Sequence, residues 1–131
     1  MTLSEPILFS EITKEQIRDY CEASGDHNRI HWDSEFARES GLPDVIAHGM
    51  LSMGLLGEAL AQWGYPQGSL QTFEAKFKDM VNPGDRLQAT CRNPDEVRAS
   101  GIIRLSLSNQ LGTEVCSATV KLLPAGSISS K

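Results

Sequence analysis

The sequence predicts an α+β domain in which antiparallel strands cover one buried helix. Three observations carry that prediction. In the helix expected over Gly49 to Trp63, the run from Met50 to Leu60 is apolar around nearly its whole circumference, with only Ser52 and Glu58 as polar interruptions, and a helix of that kind must be buried on most sides. The second half of the chain then alternates apolar and polar residues in four runs, the period of half-buried strands. Turn-forming residues separate the runs, and no linker divides the two halves.

Composition narrows the class of protein. At 131 residues the chain fits one compact domain, expected over residues 1–123 with a small, polar, flexible tail at 124–131. The net charge of −5 and the scatter of the twelve Lys and Arg speak against a nucleic-acid partner, which would need a basic face. No membrane association is expected, because Glu58 and His48 interrupt the most apolar stretch. Met1 to Pro6 has neither the basic start nor the apolar core of a secretory leader. Cys21, Cys91 and Cys116 are odd in number and lie inside apolar patterns, as expected for buried free thiols in a reducing cytoplasm.

The elements follow in order. Thr13 and Gln16 make a capping-box pair, and Ile12 can staple against Ile17 across the cap. Ile17, Tyr20, Cys21 and Ser24 share one face of the helix so begun, and Gly25 stops it. Asp33 or Ser34 caps a second, short helix ending at Gly41, and Leu42-Pro43-Asp44 is a turn. Asp26 to His31 therefore fall in an irregular connection between helices, where functional polar groups often sit. In the third helix Gly49, Gly54 and Gly57 each cost up to about 1 kcal/mol relative to Ala, and they are read as places where another backbone packs close. Phe73, Ala75 and Phe77 start the strands; Asn82-Pro83-Gly84-Asp85 suits a type II turn; Leu87, Ala89 and Cys91, then Ile103, Leu105 and Leu107, then Cys116, Ala118, Val120 and Leu122 continue them. Asn93-Pro94-Asp95 and Gln110-Leu111-Gly112 mark the connections.

Chemistry concentrates in two short segments. Gly25-Asp26-His27-Asn28-Arg29-Ile30-His31 puts an Asp and a His close together in a turn-rich stretch. Ala47-His48-Gly49-Met50 then opens the apolar helix with a glycine, so bare backbone N–H groups can be aimed back at them. A carboxylate, an imidazole and a helix N-terminus are the parts needed to move a proton and hold an oxyanion.

The two segments, in this order and at this separation, resemble the MaoC-like family of (R)-specific enoyl-CoA hydratases and (3R)-hydroxyacyl thioester dehydratases. Ala23 to Leu56 is particularly similar to the catalytic subunits of mycobacterial type II fatty-acid dehydratases, whose Gly-Asp-x-Asn-Pro-Ile-His-Trp-Asp is close to Gly25 through Asp33. The resemblance implies a hotdog fold, a curved antiparallel sheet wrapped around the central helix. It also implies that Asp26 and His31 are the catalytic pair holding one water against the substrate double bond, and that the Gly49 N–H is the oxyanion donor for the thioester oxygen. A helix N-terminus suits such enolate charge, and one oxyanion donor is worth on the order of 3 kcal/mol. Asn28 matches a motif position that shapes the loop, and His48 is expected to pack or hydrogen-bond at the site rather than react.

Two departures from the family stand out. Arg29 replaces a proline, so the loop loses a rigid φ and gains a cation, read as a solvated surface arginine. Gly57 stands near the place of a serine that supports the catalytic Asp in some members. His27 and His31 are four apart, but Asn28-Arg29-Ile30 lacks the glutamate of a metalloprotease and no third ligand is evident, so no metal is expected. Ser24 and Cys21 have no triad around them. Trp32 and Trp63 are expected in the core or an interface, and Met50 and Met53 in the core or along an acyl tunnel.

The expected activity is reversible hydration of trans-2-enoyl thioesters to (3R)-3-hydroxyacyl thioesters. The protein needs no cofactor of its own, since CoA or phosphopantetheine arrives with the substrate. Its partners are an acyl-CoA or acyl-carrier-protein thioester and a second protomer, as a homodimer or a heteromer with another hotdog subunit, because one such sheet leaves edges and apolar surface open. Lys76, Lys78, Arg86 and Arg104 are candidates for a carrier phosphate. The alternatives are a non-catalytic hotdog subunit, an acyl-thioester binding module and a hotdog thioesterase.

Overall fold

Local signals set the helices where the sequence puts them. In the computed structural model, which describes residues 2–124, helix α1 runs Lys14–Ser24. Thr13 accepts the Gln16 N–H at its start, and Gly25 ends it in the left-handed region with φ 77°. Helix α2 is Ser34–Glu39, capped by Asp33, whose carboxylate accepts the Phe36 N–H at 3.1 Å. Helix α3 is Gly49–Gln62, with His48 at its N-cap. The expected tail lies outside the described residues apart from Pro124.

Among the described residues five strands form one antiparallel sheet: β1 (Ile7–Leu8), β2 (Leu70–Phe77), β3 (Gln88–Cys91), β4 (Ile102–Ser108) and β5 (Glu114–Leu122), in the order β1-β3-β4-β5-β2. The Asn82–Asp85 turn is made as expected, with the Asp85 N–H donating to the Asn82 carbonyl at 3.1 Å and Gly84 at φ 94°. A further short helix, α4 (Val97–Ser100), sits between β3 and β4, where the sequence reading had only a connection. Its Glu96 N-cap makes no side-chain bond, so no capping signal announced it.

Register explains the core. Ile103, Val120 and Phe73 stand side by side on β4, β5 and β2, as do Leu105, Ala118 and Ala75. This inner face packs on α3, whose Leu56, Ala59 and Leu60 are fully buried against it. The intervening row, including Arg104, Thr119 and Glu74, points outward. Trp63 closes one end of the core, and its indole N–H donates to the Glu5 carbonyl at 2.9 Å.

One expectation about α3 is corrected. Its Ser52, Leu56, Ala59 and Leu60 are buried, but Met50, Gly54 and Ala61 are exposed, so one face is open in the single chain. Apart from the backbone of α3 itself, no atom of the described residues lies within 4 Å of where a Cβ on Gly54 or Gly57 would sit, so no other backbone among them packs close there. Those glycines instead border a groove of about 800 Å³ between α3 and β2, lined among others by Tyr20, Met50, Met53 and Phe73.

Candidate functional site

The site is built from a chain of short-range hydrogen bonds. Ser24 closes α1 by donating its hydroxyl to the Tyr20 carbonyl at 2.7 Å, and it accepts the Asp26 N–H at 3.1 Å. Asp26 Oδ1 accepts the Asn28 N–H at 3.3 Å. Asn28 Oδ1 in turn accepts the Ile30 N–H at 3.2 Å, capping the one-turn 3-10 helix Arg29–His31. The Asn28 carbonyl takes the His31 N–H at 3.0 Å. Asn28 therefore shapes the turn that presents His31.

The incoming strand-like run to α3 fixes the other side. The Ile46 N–H donates to the Ile30 carbonyl at 3.0 Å, and the Ile46 carbonyl accepts from His31 Nδ1 at 2.7 Å. A carbonyl can only accept, so Nδ1 carries the proton and neutral His31 keeps its lone pair on Nε2. That nitrogen faces Asp26 Oδ2 at 4.0 Å. His31 is buried, while the Asp26 side chain is 56% exposed. One water hydrogen-bonding to both groups at about 2.8 Å would span this gap.

His48 lies beneath the pair. Its ring stacks on His31 with centroids 3.6 Å apart and planes 21° apart, and the Tyr20 ring lies tilted against it at 4.7 Å. His48 Nε2 donates to the Asp26 carbonyl at 3.1 Å, and Cys21 Sγ is 3.6 Å from the same nitrogen. Burial pushes the His48 pKa down, with the Asp26 carbonyl opposing and a positive His31 reinforcing, so His48 is held neutral. Burial, then the Asp26 and Glu22 charges, push the Cys21 thiol up, which disfavours a nucleophilic thiolate.

Gly49 follows directly as the first residue of α3. The Leu51 N–H turns back to the His48 carbonyl at 3.0 Å, whereas the Gly49 N–H has no acceptor among the described residues. Asp26, Asn28, His31, His48 and Gly49 are thus brought into one neighbourhood around the stacked imidazoles. His27 is not part of it, and its imidazole faces Glu22 at 3.9 Å. Sequence reasoning missed the Ile46 carbonyl, Ser24 as a brace and Tyr20 as the bridge from the site to the groove. The Ser-Gly-Asp order at the end of α1 was the one available signal, for Ser24.

Ligand-type atoms of Asp26, His31 and His48 lie within 4.8 Å of one another. They fit a metal poorly. An ion about 2.0–2.1 Å from two imidazole nitrogens needs in-plane lone pairs that converge, and nearly parallel stacked rings direct theirs side by side. His31 Nδ1 and His48 Nε2 are also committed to carbonyls.

Among the described residues, no lysine or arginine lines the groove between α3 and β2. Arg29 is a surface arginine as expected, its side chain 56% exposed, and it bonds Asp33 at 2.7 Å and lies 4.4 Å over the Phe36 ring. That pairing, ahead of the Phe36 N–H bond, lowers the Asp33 pKa. Lys78 is held by Glu114 at 2.6 Å and Arg86 faces Glu11 at 3.5 Å. Lys76 and Arg104 stand in the outward rows of the sheet, away from α3.

Comparison with known proteins places this architecture. The family model described as "MaoC like domain" matches residues 4–111. The chain is 39% identical over 92 residues to a fatty acid synthase subunit beta of Aspergillus oryzae, a match covering 68% of this chain and 4% of that protein. It is 35% identical over 79 residues to 3-hydroxyacyl-thioester dehydratase X of Mycobacterium tuberculosis, covering 60% of this chain and 24% of the relative. It thus spans a small part of each relative's length. The solved R-hydratase PhaJ1 of Pseudomonas aeruginosa superposes with a TM-score of 0.76 at 24% identity, over 93% of this chain and 81% of that one.

Proposed function

This chain belongs to the MaoC-like domain family with a hotdog fold, and from that premise we propose that it is a hydro-lyase interconverting trans-2-enoyl and (3R)-3-hydroxyacyl thioesters. The observation that carries the reading is the fixed tautomer of His31. Its Nδ1–H is committed to the Ile46 carbonyl, and its Nε2 lone pair faces the Asp26 carboxylate across a gap of one water.

In the hydration direction, that water gives a proton to His31 Nε2 while its oxygen bonds C3 of the enoyl chain. The C2=C3 electron pair moves onto the thioester oxygen as an enolate, which the Gly49 N–H and the α3 N-terminus stabilise. The imidazolium then returns its proton from Nε2 to C2 on the same face, so water is added in full and His31 is restored. Asp26 orients the water and stabilises the imidazolium. His48 stays neutral, because a second positive ring stacked on His31 would oppose that intermediate. No metal or cofactor of the protein's own is required, since the thioester itself acidifies C2. CoA or phosphopantetheine enters with the acyl group.

The groove along Met50, Met53, Gly54 and Gly57 is the proposed acyl site, reached from His48 past Tyr20. A second hotdog protomer, either a copy or another subunit, would close it, because β2 is an open sheet edge beside the exposed face of α3. The cytoplasm is the proposed location, in keeping with the free thiols Cys21, Cys91 and Cys116. No helix among the described residues is long and apolar enough to cross a membrane.

The test is hydration of crotonyl-CoA by the purified protein, followed as loss of enoyl-thioester absorbance, with free thiol monitored in parallel and product chirality checked. Asp26→Asn and His31→Ala should fold normally and lose about 10²–10⁴-fold in turnover. Near wild-type turnover in either variant would disprove the pair. Thiol release would make the protein a thioesterase, and silence in both assays would favour a binding module or non-catalytic subunit.

A further inference from the structure

Among the glycines of α3, Gly49 alone has a close neighbour. A Cβ placed on it would meet the Phe77 ring, 3.3 Å from Cδ1 and 3.4 Å from Cε1 and Cγ, whereas Gly54 and Gly57 face open space. The sheet brings that ring there. Ile7, Ala89, Leu107, Cys116 and Phe77 form a row in register across all five strands. The first four are buried, which fixes the row on the inner face. Phe77 is its outermost member, at the end of edge strand β2, half exposed and outside the buried cluster.

We propose that Phe77 is a positioning residue for the thioester oxygen: its ring, seated on the bare Cα of Gly49, which is itself exposed in the single chain, walls one side of the neighbouring N–H from water. The inference deepens the hydration reading and rests on it. A donor shielded on one side stabilises developing charge more than one that water reaches from every side. Enolate charge is largest in the transition state, so the wall acts on kcat more than on KM. The glycine has a matching reason. Any side chain at position 49 would push the ring by a few tenths of an ångström, so the residue that bares the N–H also admits its cover. A ring kept only to hide apolar area would leave kcat unchanged.

The experiment uses the whole chain with crotonyl-CoA for turnover and acetoacetyl-CoA as an oxyanion probe, since the bound enolate of that β-keto thioester absorbs in the near ultraviolet. Phe77→Ala should lower kcat about tenfold with little change in KM and shrink the enolate signal, and Phe77→Leu should recover most of the loss. Gly49→Ala should cost much less in the Phe77→Ala background than alone, because the added methyl then has room. Wild-type kcat and enolate signal in Phe77→Ala, or strictly additive losses in the double variant, would overturn the inference while leaving the hydratase reading intact. A parent protein that neither turns over crotonyl-CoA nor binds acetoacetyl-CoA would overturn both.

Discussion

The strand ladder β3-β4-β5 and the segment from Ser24 to His48 hold their backbones by different means. In the ladder, each strand satisfies its neighbour's N–H and C=O groups in register, and Ile103, Leu105 and Leu107 fill the inner face with no polar atom. In the segment, side chains share that work with α2 and with bonds such as the one from the Ile46 N–H to the Ile30 carbonyl. Ser24, Asp26, Asn28 and Asp33 each accept a backbone N–H, and the carbonyls of Asp26 and Ile46 take imidazole N–H groups. The ladder spreads its stability over many similar contacts. The segment depends on a few directional bonds, each of which also aims a site residue. Substitution should therefore cost the ladder stability and the segment activity.

The largest expected effect tests the ladder. Leu105 is fully buried between strands, and Leu105→Ala should lower the unfolding free energy by about 2–5 kcal/mol, measured by urea denaturation. Turnover per folded molecule should stay near that of the parent well below the melting transition. A comparable loss of turnover there would break the division, by showing that the core itself transmits strain to the site. Asn28→Ala is the converse. Losing the cap should cost about 1 kcal/mol of stability. Misplacing the turn that carries His31 should cost about ten- to a hundredfold in kcat/KM.

The same division governs what the sequence discloses. Helix α1 was legible to the residue, because Thr13 and Gly25 act locally and the structure uses both as read; of the expected capping box only the bond from the Gln16 N–H to Thr13 is made among the described residues. The strands were legible because inner and outer rows alternate with the period of the pleat. Asp26, His31 and Gly49 were legible as a motif. The stacking of His31 on His48 was not, since it depends on two segments meeting in space. The Ile46 carbonyl that sets the His31 tautomer was also hidden, because every residue carries such a group. Arg29 was read correctly as a surface arginine, but its ion pair with Asp33 was not singled out, because many i, i+4 pairs in a sequence stay open to water. Gly54 and Gly57 show the limit most plainly. A sequence reveals that a helix face is small, and only the fold reveals whether backbone or a groove adjoins it.

The smallest expected effect concerns the brace behind the segment and can be read without any substrate. Asp44 ties the run leading to His48 onto both preceding helices. Its Oδ2 faces Lys14 of α1 at 3.1 Å, and its Oδ1 accepts the Val45 N–H at 2.7 Å. The Ser34 hydroxyl at the start of α2, then the Val45 N–H and Lys14, hold its pKa down from 3.8 to about 2. A depressed carboxylate makes the folded state bind fewer protons than the unfolded one, so its stabilisation is complete above the unfolded value and disappears as pH falls through the folded one. The parent should thus lose stability between about pH 4 and pH 2 in part through Asp44. Asp44→Asn keeps an acceptor for the Val45 N–H but cannot titrate. Its stability should be lower than the parent's at pH 6 and should fall less steeply across that acid window, with turnover at neutral pH little changed. Parallel pH–stability curves for parent and variant would place the acid sensitivity elsewhere, with Glu114 the next group to examine. There burial raises the pKa, and Lys78, Ser106 and Arg92 together outweigh it. Because Glu114 lies in the sheet, that result would move the pH response from the site segment to the ladder.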